Sequence, residues 1–342
     1  MQPVLPRVPR PLFGSQGFRV RALATFKVLL TDYAWPDLEI ERGILAAADA
    51  ELIVAPASDL DSLRGRAADI DAIMTNWAKV PEAVIQAAGK CRIIARLGVG
   101  LDNIDVNFAT ERGIVVTNVP DYCVVEVAEH ALALLLALAR KVAFYHWETK
   151  QGRYDLAAGP ALARIEGQTL GIVGLGNIGR RVATKAAALG LRVLATSRTA
   201  KPSVPGIKNC SLAEALAQSD YVSLHLPLTS ETRHLIGARE LAAMKPTAYL
   251  INTARGGLVD HAALARALGE GKLAGAALDV QDAEPPDLLV PPYNDPRVIV
   301  TPHAAFVSRE SLEDLRRRAA TQVATLLRGK RPENVVNPTV LE

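Results

Sequence analysis

The sequence predicts an α/β protein built from two parallel-sheet domains. Three observations carry this: strand and helix signals alternate along nearly the whole chain, a glycine-rich turn separates a strand from a helix near residue 174, and 342 residues exceed what one core commonly supports. A hydrophobic content of 49% with 22% charged residues suits compact domains.

The first domain builds from Phe26. KVLLTD, ELIVAP, DAIMTN, RIIARL and IVVTNV are short apolar runs with strand character, and helices are expected between them over Leu38 to Ala48, Leu60 to Arg66, Pro81 to Ala88 and Ile104 to Arg112. After Pro120 the pattern predicts one helix from Val124 to His146, whose apolar residues begin at helical spacing and become nearly continuous. Such a helix should be buried between domains or against another subunit, and the expected assembly is a homodimer through the nucleotide-binding domains.

The second domain opens with GIVGLGNIGRRVATKAAALGLRVLATSR, residues 171–198. Gly174 lets the chain turn after the strand Thr169 to Val173, Gly176 lets backbone amides approach a pyrophosphate, and Gly179 lets the helix pack against the strand. The helix start at Asn177 and Ile178 would face the phosphates with unpaired amides. This is the Rossmann fingerprint of a dinucleotide-binding domain. YVSLHLP, AYLINTA, GAALDV and VIVTPH continue the sheet, alternating with helices over Ala238 to Met244, His261 to Leu268 and Ser308 to Leu327. ENVVNP is a strand-like end expected to return to the first domain. The division is therefore residues 26–122 with 304–342, and residues 123–303.

Charge and composition exclude several classes. With 39 basic and 36 acidic residues the net charge of +3 is too even for a nucleic-acid or membrane surface. The longest apolar stretch, Ala131 to Ala139, falls well short of the ~20 residues that span a bilayer. Cys91, Cys123 and Cys210 stand far apart, which indicates neither a disulfide framework nor a metal site and fits the cytoplasm. Residues 1–25 hold four arginines and no acid, but three prolines in the first nine positions oppose the amphipathic helix of a transit peptide, so a disordered tail is expected.

Polar residues at strand ends mark the chemistry, because ligands in open α/β sheets bind outside the carboxyl ends of the strands. Arg255 follows INTA, Glu284 follows LDVQDA and His303 follows VIVTP. Singly, each has an ordinary explanation as a turn cap, a solvated loop or a satisfied histidine. Together on one sheet edge they suggest a site. The turn of Gly98, Val99 and Gly100 after RIIARL either closes a strand or offers amides to a carboxylate.

GVGLDNID, VAEHALALLLALAR, GIVGLGNIG, HLPLT, INTARGGLVD, GAALDVQDAEPP and TPHAAF stand in an order that resembles the D-isomer-specific 2-hydroxyacid dehydrogenase family from about Asp71 to Pro338. CVVEVAEH and TPHAAFVSRES are most similar to the subgroup that includes the C-terminal-binding-protein corepressors. The resemblance implies a Rossmann domain inserted in a flavodoxin-like substrate domain. It implies that Arg255 anchors the substrate carboxylate with Val99 and Gly100, that His303 is the acid/base and that Glu284 orients it. It further implies that Asp279 accepts the nicotinamide carboxamide and that Pro227 and Thr253 line the cofactor cleft.

These roles suit hydride transfer to a 2-oxo acid, which needs a proton donor for the developing oxyanion and a planar fork for the carboxylate. Two departures from the family pattern refine the expectation. Ser197 and Arg198 replace the acid that many members place on the adenosine ribose, favouring NADP over NAD. Thr75, Asn76 and Trp77 replace an arginine of phosphoglycerate-acting members, with Lys79 the only cation close by, so an unphosphorylated substrate such as glyoxylate or hydroxypyruvate is expected. Phe306 should make the pocket wall partly aromatic. The alternatives are a nucleotide-sensing dimeric scaffold of the corepressor kind, a 3-phosphoglycerate dehydrogenase, or an oxidoreductase with another acceptor.

Overall fold

The structure, a computed structural model, describes residues 25–159, 162–197 and 205–342. The expected tail therefore lies outside the described residues, apart from Thr25.

In the first domain β1 (Phe26–Leu30), β2 (Ala50–Val54), β3 (Ala72–Thr75), β4 (Ile93–Arg96) and β5 (Val115–Thr117) form a parallel sheet of order β2-β1-β3-β4-β5. Side chains of a strand alternate between faces, and here both faces are buried. Val28 and Leu30 join a core with α1 (Glu39–Ala46), whereas Leu29 faces the opposite core over α2 (Leu60–Ala67), α3 (Glu82–Ala87) and α4 (Val106–Glu111). This explains the uninterrupted apolar runs.

The second sheet has seven parallel strands. They are β6 (Thr169–Val173), β7 (Arg192–Thr196), β8 (Ile207–Asn209), β9 (Tyr221–Leu224), β10 (Tyr249–Asn252), β11 (Gly275–Leu278) and β12 (Val298–Val300), in the order β12-β11-β10-β9-β6-β7-β8. The order reverses between β6 and β9, and the glycine turn leaves β6 at that switch point. Leu170 and Ile172 of β6 face α5 (Val124–Arg140) and α7 (Asn177–Ala188); Val173 faces the other side, where α8 (Leu212–Gln218), α9 (Ala238–Ala243) and α10 (His261–Gly269) pack.

One expectation is corrected. The predicted helix Val124 to His146 is two helices, α5 and α6 (Val142–Lys150), because Lys141 takes a left-handed conformation at φ 55° and ends the first. The apolar face of α5 is covered by α7, β10 and β11 of its own chain, with Ala128 and Leu135 fully buried. α6 has no buried residue, and it is there that Val142 and Trp147 lie exposed, followed by Tyr154 and Leu156.

The chain then turns back toward the first sheet. α11 (Arg309–Leu327), capped by Ser308 on the Ser311 amide, leaves the second sheet and packs on α1 and β4 of the first. Buried Arg316 bonds Glu41 through Nε and Nη2 at 2.8 and 2.9 Å, tying α11 to α1. The final segment then bridges Val335 to Thr117. Among the described residues no helix is long and apolar enough to cross a membrane.

Candidate active site

Both sheets direct the carboxyl ends of their strands at one cleft of about 860 Å³. The first domain contributes Trp77, Arg96 and the turn Gly98 to Asp102, and the second contributes Thr253, Arg255, Asp279 and His303. Glu284 stands behind His303, whose Nδ1 lies 2.8 Å from Glu284 Oε2. Burial pushes the Glu284 carboxyl upward, but the His303 hydrogen bond and charge, the Gln281 amide on Oε1 at 3.0 Å and the Arg255 charge outweigh it, leaving the carboxyl below its ordinary value.

His303 has a positive φ of 52°, a conformation that costs energy outside glycine and must be held by its surroundings. Asp279, fully buried, does the holding. Its backbone carbonyl accepts the His303 amide at 2.8 Å, while its carboxylate accepts the Ala304 and Ala305 amides at 2.9 and 3.0 Å and the Thr301 hydroxyl at 2.6 Å. His130 Nε2 of α5 approaches the same hydroxyl at 3.2 Å. Asp279 thus lines the cleft and also supports the loop that carries His303, a role sequence reasoning did not assign.

Arg255 leaves β10 and crosses to the other domain, where Nε donates to Asp102 Oδ1 at 3.1 Å while Nη1 donates to the Ala254 carbonyl at 2.8 Å. Its Nη2 lies so close over Gly100 that a Cβ there would collide with it. Glycine at this position is what lets the guanidinium reach the turn. Val99 and Gly100 both line the cleft beside it. Phe306 forms the expected aromatic wall, edge-on to Trp77, Tyr122 and His303 at centroid distances of 6.4, 6.3 and 6.1 Å.

The glycine turn has the shape a dinucleotide needs. Gly174 has φ 99° and, like Gly179, could not carry a Cβ without striking backbone, whereas a Cβ on Gly176 would meet open space. Gly176 is the N-cap of α7, so the free amides around Asn177 face that space. Ile178 and Pro227 line the cleft, and Thr253 Oγ1 is buried there without a hydrogen-bond partner among the described residues. These residues fit a bound nicotinamide dinucleotide. Ser197 stands exposed just past β7, and Arg198 lies outside the described residues.

The structure also brings in residues the sequence reading passed over. Arg96 ends β4 as Arg255 follows β10, so the same strand-end rule would have found it. Lys79 instead lines a separate hollow. His225, half-buried after β9 and lining the cleft, is pushed down to about 4 by burial and pairs Nε2 with Ser223 Oγ at 2.8 Å, so it is neutral at physiological pH.

A glycine cradle at the switch point of a doubly wound sheet, facing a second parallel sheet across a cleft, defines a dinucleotide-dependent enzyme of the two-domain α/β class. Residues 132–305 match the model for the D-isomer specific 2-hydroxyacid dehydrogenase NAD binding domain. The chain is 41% identical to a glyoxylate reductase of Korarchaeum cryptofilum over 81% of its own length and 86% of that relative. It is 38% identical to a D-3-phosphoglycerate dehydrogenase of Methanocaldococcus jannaschii, covering 91% of this chain but 59% of that one. The D-lactate dehydrogenase of Aquifex aeolicus, solved with NAD and lactic acid, superposes with a TM-score of 0.81 at 29% identity, over 91% of this chain and 99% of that structure. The chain belongs to the D-isomer specific 2-hydroxyacid dehydrogenase family, and it is an NAD(P)-dependent oxidoreductase acting on the CH–OH group of a hydroxy acid.

Proposed function

We propose that the chain reduces small unphosphorylated 2-oxo acids, such as glyoxylate and hydroxypyruvate, to their 2-hydroxy acids, giving the D isomer where C2 becomes chiral. The observation that carries this reading is the convergence of Arg255 and His303, with Glu284 behind, on a cleft that also contains the glycine cradle. A bound nicotinamide would supply the hydride. Arg255 and the amides of Val99 and Gly100 hold the substrate carboxylate, which orients the adjacent carbonyl. With Nδ1 bound to Glu284, His303 has Nε2 left to protonate the carbonyl oxygen as charge develops on it. Glu284 stabilises the charged imidazole that precedes this transfer, and His303 is then reprotonated from water. Asp279 keeps the His303 loop in place.

The name of the Korarchaeum relative supports glyoxylate as a substrate. Following NADH and NADPH oxidation against glyoxylate, hydroxypyruvate, pyruvate and 3-phosphooxypyruvate tests the reading; a chain that turned over only the phosphorylated acid would overturn it.

Three further assignments belong to the same reading. We favour NADP over NAD, since no acid follows β7 and Ser197 with Arg198 suits a 2′-phosphate. We infer domain limits of 26–122 with 304–342 and 123–303, and a cytoplasmic location. We infer a homodimer through the nucleotide-binding domains, resting now on the exposed α6 and its aromatic continuation rather than on α5. Sedimentation as a monomer at micromolar concentration would remove the dimer.

A further inference from the structure

Arg96 lines the cleft at 9% exposure, and burial lowers its pKa to about 10. It is charged at neutral pH, yet among the described residues no carboxylate pairs with it. Its Nη1 bonds Asn76 Oδ1 at 3.4 Å and the Leu97 carbonyl, and its Nε is buried without a partner. The acids whose charge reaches it are engaged elsewhere: Asp102 on Arg255 Nε at 3.1 Å, and Asp32 on the amides of Asn76, Trp77 and Ala78 at 2.7 to 3.2 Å. Asn76 Nδ2 is a second buried donor without an acceptor among the described residues. Unpaired buried charge is among the costliest features a fold can carry, so a cleft wall that keeps one is organised for an anion that arrives.

Resting on the reductase reading, we propose that Arg96 and Asn76 form a second anion contact that selects 2-oxo acids bearing a second carboxylate at the end away from C1. The two guanidiniums bracket the Gly98 to Gly100 turn. Arg255 lies against Gly100, and the Arg96 guanidinium lies against Gly98, where an added Cβ would stand 2.6 to 3.0 Å from it. The two glycines stand at most about 7 Å apart and the Arg255 charge acts on Arg96, so the guanidiniums flank one short stretch of the cleft wall, a spacing that suits a four- or five-carbon dicarboxylate. One guanidinium and one amide match the two acceptors of a planar carboxylate; a dianionic phosphate calls for more cations, and Lys79 faces the other hollow.

The test compares wild type with Arg96→Gln and Arg96→Lys on glyoxylate, pyruvate, 2-oxosuccinate, 2-oxoglutarate and 3-phosphooxypyruvate, with melting temperature as a control on folding. Arg96→Gln should lower kcat/KM ten- to a hundredfold on the dicarboxylates and stay within about threefold of wild type on the monocarboxylates, with Arg96→Lys between them. Equal losses on every substrate would make Arg96 a support for the turn and overturn the proposal. A wild-type preference for 3-phosphooxypyruvate over both dicarboxylates would overturn the carboxylate assignment. Binding of D-malate and D-lactate to the cofactor-loaded protein, read by tryptophan fluorescence, separates the two claims. If no 2-oxo acid is reduced, the reductase reading fails, yet D-malate should still bind at least tenfold more tightly than D-lactate and lose that margin in Arg96→Gln. No margin in wild type would sink the second contact by itself.

Discussion

Replacing Glu284 with glutamine keeps the shape of the side chain and removes its charge, and the geometry around both oxygens sets the cost. Oε1 accepts the Gln281 amide at 3.0 Å and Oε2 meets His303 Nδ1 at 2.8 Å, so both oxygens face donors when His303 carries its Nδ1 proton. An amide has one acceptor. If its oxygen turns to His303, its NH₂ opposes the Gln281 amide; if it turns to Gln281, its NH₂ faces His303 and tolerates only the tautomer without the Nδ1 proton. Either arrangement loses a charge-assisted hydrogen bond, ordinarily ~1.5–3 kcal/mol. The side chains are 26% and 34% exposed, so solvent screening reduces this to about 1–2 kcal/mol, or about 5- to 30-fold in kcat. In the wild type the Glu284 contribution is lost only as pH falls through a value below the ordinary carboxyl one of about 4.3, since the carboxyl is lowered. Steady-state kcat for 2-oxo acid reduction from pH 4 to 9 reads both effects. A variant with wild-type kcat and an unmoved profile would refute the pairing.

Other substitutions probe the supports. Asp279→Asn should cost about 10-fold or more in kcat, since either Oδ1, which accepts the Ala304 amide and the Thr301 hydroxyl, or Oδ2, which accepts the Ala305 amide, becomes a donor, and cofactor Kd by fluorescence titration tells loop support from direct cofactor contact. Ser197→Asp should weaken NADPH against NADH in paired KM measurements; no change in their ratio would remove Ser197 from the cofactor site. Glu41→Ala strands Arg316 between α1 and α11, and urea unfolding should show a loss of about 3 kcal/mol, less what Asp37 recovers through its own 2.8 Å contact.

Much of the fold was legible because both faces of each sheet are buried, which turns strands into short apolar runs such as RIIARL and VIVTPH. The catalytic candidates were legible for a related reason: parallel strands point their ends at one place, so Arg255 and His303 had to be neighbours of the cleft once their strands were found. What stayed hidden is conformational or long-range. A left-handed Lys141 splitting α5 from α6 leaves no pattern in a run that is helical on both sides. β8 is three residues, IKN, with no apolar alternation, and α8 is seven residues whose main local signal is Ser211 at its cap. Asp102 meeting Arg255 spans 153 positions and depends on how the two domains face each other. Arg96 was visible at a strand end, but its lack of a counter-ion is a property of the folded interior alone.

The most direct test of the account is rapid mixing of wild type and His303→Ala, each loaded with reduced cofactor, against glyoxylate or hydroxypyruvate while nicotinamide absorbance is followed. The account predicts that wild type oxidises the cofactor and that His303→Ala does so about 10²–10⁴ times more slowly with unchanged cofactor Kd; equal rates for the two proteins would contradict it.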